Sequence, residues 1–102
     1  MDKAEVINKI RQYRFLLKEY FDVDKVYLFG SYAKDTNRVD SDIDVAIVVN
    51  SIKGDYFSTT PLIWKLRRQI DDRIEPILIE KDNDTSGFLE EIQNSGIEIG
   101  EV

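Results

Sequence analysis

Residues 26–49 read VYLFGSYAKDTNRVDSDIDVAIVV. Four apolar residues, Val26 to Phe29, end at Gly30 and fit a buried strand. Ser31-Tyr32-Ala33-Lys34 starts a short helix directly after it, and Asp35-Thr36-Asn37-Arg38 is a polar loop. Ser41 to Val49 alternates as a second strand. Ile43, Val45, Ile47 and Val49 face one way; Asp42, Asp44, Ala46 and Val48 face the other. Two strands joined by a glycine turn and a short helix place a carboxylate pair close to that turn.

Outward from this stretch, the chain alternates helices and strands. Residues 3–20 carry Val6, Ile10, Tyr13 and Leu17 at helical spacing, with Lys3, Lys9, Arg11, Arg14 and Lys18 on the opposite face. Asn50 to Thr59 is polar and is expected to be the mobile connection. Thr60-Pro61 reads as an N-cap followed by proline at the first helical position, opening a helix that runs to about Ile70. Ile74 to Ile79 is a third strand, and Pro76 implies an edge position or an irregular start. Thr85 or Ser86 opens a last helix that Gly96 ends, and Ile97 with Ile99 adds a small terminal strand. The order α-β-α-β-α-β-α predicts an α/β (α+β) domain in which helices pack on a small mixed sheet.

Composition narrows the chemistry. The chain of 102 residues contains neither cysteine nor histidine. Disulfides, thiolate metal sites and the commonest general base are thereby excluded. Catalysis must run on carboxylates, hydroxyls, Lys or Arg, and a metal would be a hard cation held by oxygen, Mg²⁺ or Mn²⁺. With 14 Lys+Arg against 20 Asp+Glu the formal charge is −6, which argues against stable nucleic-acid binding. No apolar run reaches membrane-spanning length, so no membrane partner and a cytoplasmic location are the default expectations.

Asp42 and Asp44, two residues apart on a strand, point to the same face. Their mutual repulsion asks for a positive charge between them, and a divalent cation supplies it. Two such cations form the clamp of in-line nucleotidyl displacement. Alone, an Asp-x-Asp pair is as readily a solvated strand end. Gly30-Ser31 changes the balance, because glycine lets a ligand approach the backbone and the following N–H groups favour phosphate oxygens. Lys34 and Arg38 read as solvated loop charges, Tyr27, Phe29 and Trp64 as packing residues, and Asp71-Asp72 as a solvated pair.

The spacing resembles the nucleotidyltransferase superfamily related to DNA polymerase beta, whose pattern is Gly-Ser, ten residues, then Asp-x-Asp. Here the order is Gly30-Ser31, the ten residues Tyr32 to Ser41, then Asp42-Ile43-Asp44. Gly30-Ser31-Tyr32-Ala33 and Ser41-Asp42-Ile43-Asp44 look closest to the minimal nucleotidyltransferases that include antitoxin partners of HEPN toxins. The resemblance implies a single minimal nucleotidyltransferase domain over residues 1–102 with the polymerase-beta-like fold. It also implies two Mg²⁺ (or Mn²⁺) ions held by Asp42, Asp44 and a third carboxylate, for which Glu75 is the best match. Gly30, Ser31 and Ser41 would contact the nucleotide.

The implied reaction is transfer of a nucleoside monophosphate, AMP from ATP, to a hydroxyl acceptor, such as a tyrosine of a HEPN toxin partner. The alternative is a non-catalytic antitoxin that neutralises its partner by binding. Two positions depart from the family pattern: Asp35 stands where relatives often have Gly, and Glu75 where they usually have Asp.

Overall fold

The computed structural model describes residues 1–52, 56–83 and 86–101. Its elements are α1 (Lys3–Leu17), β1 (Val23–Phe29), α2 (Gly30–Ala33), β2 (Ile43–Val49), α3 (Tyr56–Arg67), β3 (Ile74–Glu80), α4 (Phe88–Ser95) and β4 (Ile97–Glu98). The strands form one mixed sheet in the order β3-β2-β1-β4. β1 pairs antiparallel with both β2 and β4, while β2 and β3 are parallel. That parallel pair needs a crossover, and α3 supplies it. Pro76 lies on β3 at the sheet edge, as its missing N–H requires.

The alternation along β2 divides the sheet into two unequal faces. Ile43, Val45, Ile47 and Val49 pack with Val26 and Leu28 of β1 and Ile74 and Leu78 of β3. Val6, Ile10, Tyr13 and Leu17 of α1 and Ile63 and Leu66 of α3 cover them. Each fully buried aliphatic side chain there contributes about 1.5–3 kcal/mol, so seven-residue strands hold without a covalent staple. The opposite face is thinner. Tyr27, Ala46 and Val48 pack under Ile92 of α4, with Phe29, Ile77, Ile79, Phe88 and Leu89 only partly buried around them. Because α4 is short, the strand ends beyond it stay accessible.

Several local expectations change. α1 ends at Leu17 rather than Tyr20, and residues 18–20 form turns. Asp2 caps its start, accepting from the Glu5 N–H at 2.8 Å. Arg14 is not on a solvent face. It is 9% exposed and donates to the carbonyl of Ile99 at 2.9 Å, tying α1 to the end of the chain. The anticipated cap at Thr60-Pro61 does not form, since α3 begins at Tyr56 and contains Pro61. Near a helix start the missing N–H of a proline loses a single helical bond, so α3 can carry Pro61 as its sixth residue. The expected mobile segment is therefore partly helical, and its residues 53–55 lie outside the described ones. Thr85 also lies outside them; Gly87 precedes α4 in the left-handed conformation and Gly96 ends it as expected. Trp64 is 38% exposed and lies under the Arg67 guanidinium at 4.6 Å, so it packs less deeply than anticipated. Among the described residues, no helix is long and apolar enough to cross a membrane.

Candidate active site

The sheet register brings the sequence-predicted residues to one end of one face. Phe29 pairs with Asp44 across β1 and β2, and Asp44 pairs with Glu75 across β2 and β3. Gly30, which follows Phe29, therefore lies beside Asp44. A Cβ built on Gly30 would stand 2.1 Å from Asp44 Oδ2, and the Gly30 φ of +71° suits glycine. Asp42 precedes β2 instead of belonging to it, since the strand starts at Ile43. Its carboxyl still lies within hydrogen-bonding reach of Glu75.

These acids perturb one another. Asp44 is held above the ordinary carboxylate range, first by partial burial and then by the charge of Asp42. Glu75 is raised as well, by lost hydration, by the charge of Asp42 and its hydrogen bond, and by Asp44, with Arg67 opposing. Glu75 does not pair with Arg73 or Arg68 among the described residues. Arg73 bonds instead to Asp71, which accepts from the Arg73 backbone N–H at 2.8 Å and from Lys9 Nζ at 2.7 Å. Asp71 is consequently part of a linkage between α1 and the start of β3, not the solvated group its pairing with Asp72 suggested. With Arg73 so engaged, the acids at the sheet end face each other.

The loop that carries the pair is fixed at both ends. The Lys34 N–H donates to the Gly30 carbonyl at 3.2 Å, and the Thr36 N–H donates to that of Ser31 at 3.0 Å. Ser41 Oγ accepts from the Arg38 N–H at 2.7 Å, so this hydroxyl closes the loop ahead of Asp42. Asp35 has φ +58° and pairs with Lys3 at 2.8 Å. Asp is among the few residues other than glycine that tolerate this left-handed backbone. α2 has only four residues and carries little dipole.

The donor set fits a divalent cation. It consists of carboxylate oxygens alone, and two of the three acids are destabilised by charges that a cation would offset. Among the described residues, no three acids already converge on one ion-sized point.

A family model, "Polymerase beta, Nucleotidyltransferase", matches residues 8–101. The chain belongs to this nucleotidyltransferase family. Similarity to individual proteins extends along nearly the whole chain. The Methanocaldococcus jannaschii protein named "Putative protein adenylyltransferase MJ0141" is 31% identical over 101 residues, spanning 93% of this chain and 99% of that one. A crystal structure of a toxin-antitoxin with AMP-PNP superposes with a TM-score of 0.67 at 25% identity, covering 94% of this chain and 73% of that one. The complex of a tri-AMPylated Shewanella oneidensis HEPN toxin with an MNT antitoxin gives a TM-score of 0.61 at 21% identity, covering 98% and 73%. The last similarity is one of fold. The family uses divalent metals and nucleoside triphosphates, in keeping with an all-carboxylate site beside a glycine turn.

Proposed function

We propose that residues 1–102 work in the cytoplasm as one catalytic unit that transfers AMP from ATP to a protein hydroxyl, the tyrosine of a HEPN toxin, and so act as its antitoxin. The observation that carries the reading is the row Phe29, Asp44, Glu75 across three adjacent strands, with Gly30 following Phe29 beside Asp44 and Asp42 near Glu75. The adenylyltransferase name of the M. jannaschii relative and the AMPylated toxin bound to the Shewanella antitoxin support the choice of nucleotide and acceptor.

In this reading Asp42, Asp44 and Glu75 hold two Mg²⁺ or Mn²⁺ ions. Such ions, when bound, neutralise phosphate charge and align the displacement. The backbone of Gly30 and Ser31 holds the β- and γ-phosphates. Ser41 keeps the loop closed beneath them. Glu75, at the β3 side of the row, takes the proton of the acceptor hydroxyl. The acceptor oxygen bonds to the α-phosphorus, the bond from that phosphorus to the bridging oxygen breaks, and pyrophosphate leaves.

The test is incubation with α-labelled ATP, Mg²⁺ and a HEPN protein. Label on a tyrosine with the parent chain, lost in the Asp42→Ala and Asp44→Ala variants, supports transfer. Equal labelling by parent and variants defeats it. A double variant that labels nothing yet fully neutralises the toxin assigns the antitoxin role to binding alone.

A further inference from the structure

The site face continues beyond the carboxylates. Glu75, Ile77 and Ile79 alternate on β3, so all three side chains point to the face that carries Asp44. Ile77 and Ile79 are half-buried, and α4 reaches only as far as Phe88, whose ring meets Phe29 edge-on at 5.8 Å. Between Phe88 and the sheet edge the described residues leave a trough of about 540 Å³. Ile77 and Ile79 form its floor, and Phe88 and Ile52 are among its walls. Glu75 is outside this lining but on the same face of β3, about 7 Å along the strand from Ile77 and about 13 Å from Ile79.

We infer that this trough is a specificity subsite for the acceptor polypeptide, and that it takes an aliphatic or aromatic side chain two or four residues from the modified tyrosine. The inference rests on the transfer reading above. In-line displacement decides the occupant. The leaving pyrophosphate lies toward Gly30 at the end of β1, so the entering hydroxyl must come from the opposite side. That side is β3, two strands and roughly 10 Å away. A hydroxyl at Glu75 on an extended chain running along β3 places its second and fourth neighbours over Ile77 and Ile79, because both chains share the same repeat. Nucleoside joined to phosphates at Gly30 has no comparable reason to lie along β3.

The experiment uses alanine-rich peptides with one tyrosine and either Leu or Ser at positions two and four residues to each side. AMP labelling is measured with Mn²⁺ and ATP, for the parent chain and for Ile77→Thr and Ile79→Thr. Threonine keeps the branched Cβ that a strand favours, and thermal melts confirm folding. With the parent, Leu at one or more of these positions lowers KM by about fivefold or more relative to Ser. With the variants, the preference shrinks to within about twofold, while the calorimetric affinity for Mn²⁺–ATP stays within about twofold of the parent. Parent labelling indifferent to Leu or Ser, or a preference that survives in both variants, overturns the subsite. Weakened ATP binding with an intact peptide preference does so too, and assigns the trough to the nucleoside. Labelling of a HEPN protein but none of these peptides overturns the subsite while leaving the transfer reading intact. No labelling of either overturns both.

Discussion

Gly30 and Asp44 share space that only a glycine leaves open. Asp44 Oδ2 would lie 2.1 Å from a Cβ on Gly30, and its Cγ 3.0 Å away. Both atoms belong to the carboxylate placed by the pairing of Phe29 with Asp44. Alanine at position 30 must therefore push Asp44 aside while itself adopting a φ near +71°. The backbone penalty is about 1–2 kcal/mol. The displacement matters more for function, since a misplaced catalytic group loses rate steeply. Gly30→Ala is expected to lower AMP transfer by about 100-fold or more while the protein still melts cooperatively. Labelled transfer beside a thermal melt checks this, and parent-like activity would show that the Asp44 position is unimportant.

The same carboxylate sets a trade between stability and site chemistry. Burial and the charge of Asp42 raise the Asp44 pKa above its ordinary value of 3.8. A carboxyl with a raised pKa in the folded state holds its proton longer than in the unfolded chain. The fold is thus penalised as pH rises through this window, and the penalty is complete above the folded pKa. Asp44→Asn removes it. Without metal at pH 7, the variant is expected to melt about 2 °C higher than the parent. Addition of Mn²⁺ and ATP should raise the melting temperature of the parent and leave the variant unmoved. Calorimetric scans with and without Mn²⁺–ATP decide the matter, and a variant melting below the metal-free parent would contradict it.

Much of this arrangement could be read from the chain, for specific reasons. β2 was legible because strict alternation separates Ile43, Val45, Ile47 and Val49 from Asp44, Ala46 and Val48, and the two clusters divide along that line. Pro76 marked an edge because a missing N–H has few other places in a sheet. The start of α3 was misread because proline after threonine is a strong local cap signal, yet nothing in residues 56–60 prevents an earlier start. Arg14 and Asp71 were misread because their partners are distant in sequence. Ile99 lies 85 residues from Arg14, and Lys9 lies 62 from Asp71. No periodicity reports such a contact.

The Asp71 linkage has a consequence in acid. Burial alone would raise this carboxyl, but hydrogen bonds from Lys9 and Arg73 and the Lys9 charge outweigh it and lower the pKa to about 2. A depressed carboxylate stabilises the fold fully above its unfolded pKa of 3.8, and that stability is lost as pH falls toward the folded value. The contribution at neutral pH is about 1–2 kcal/mol. Asp71→Asn is therefore expected to be less stable than the parent at pH 7, with the difference closing between pH 4 and about pH 2. Urea unfolding across that range checks both the sign and the window. A difference independent of pH would show that packing, not charge, is what Asp71 provides.

Two buried tyrosines give opposite expectations for one substitution. Tyr13 is fully buried and donates its hydroxyl to the Ile63 carbonyl at 2.6 Å, joining α1 to α3. Burial pushes its phenol well above the ordinary value, so it remains a donor at every working pH. Tyr32 of α2 is 1% exposed, and its hydroxyl meets no partner among the described residues. Deleting a bonded buried hydroxyl removes a hydrogen bond, whereas deleting an unpartnered one removes a desolvated polar group. Tyr13→Phe should lower stability by about 1–1.5 kcal/mol. Tyr32→Phe should leave it unchanged or raise it by up to about 1 kcal/mol. Chemical denaturation of the two single variants and the double variant measures both effects. Only the Tyr13 hydroxyl has a bonding partner to lose, so the double variant should equal the sum of the singles to within about 0.5 kcal/mol. A loss on Tyr32→Phe as large as that on Tyr13→Phe would mean that the Tyr32 hydroxyl is satisfied in solution, and would require a polar neighbour near the start of the motif loop.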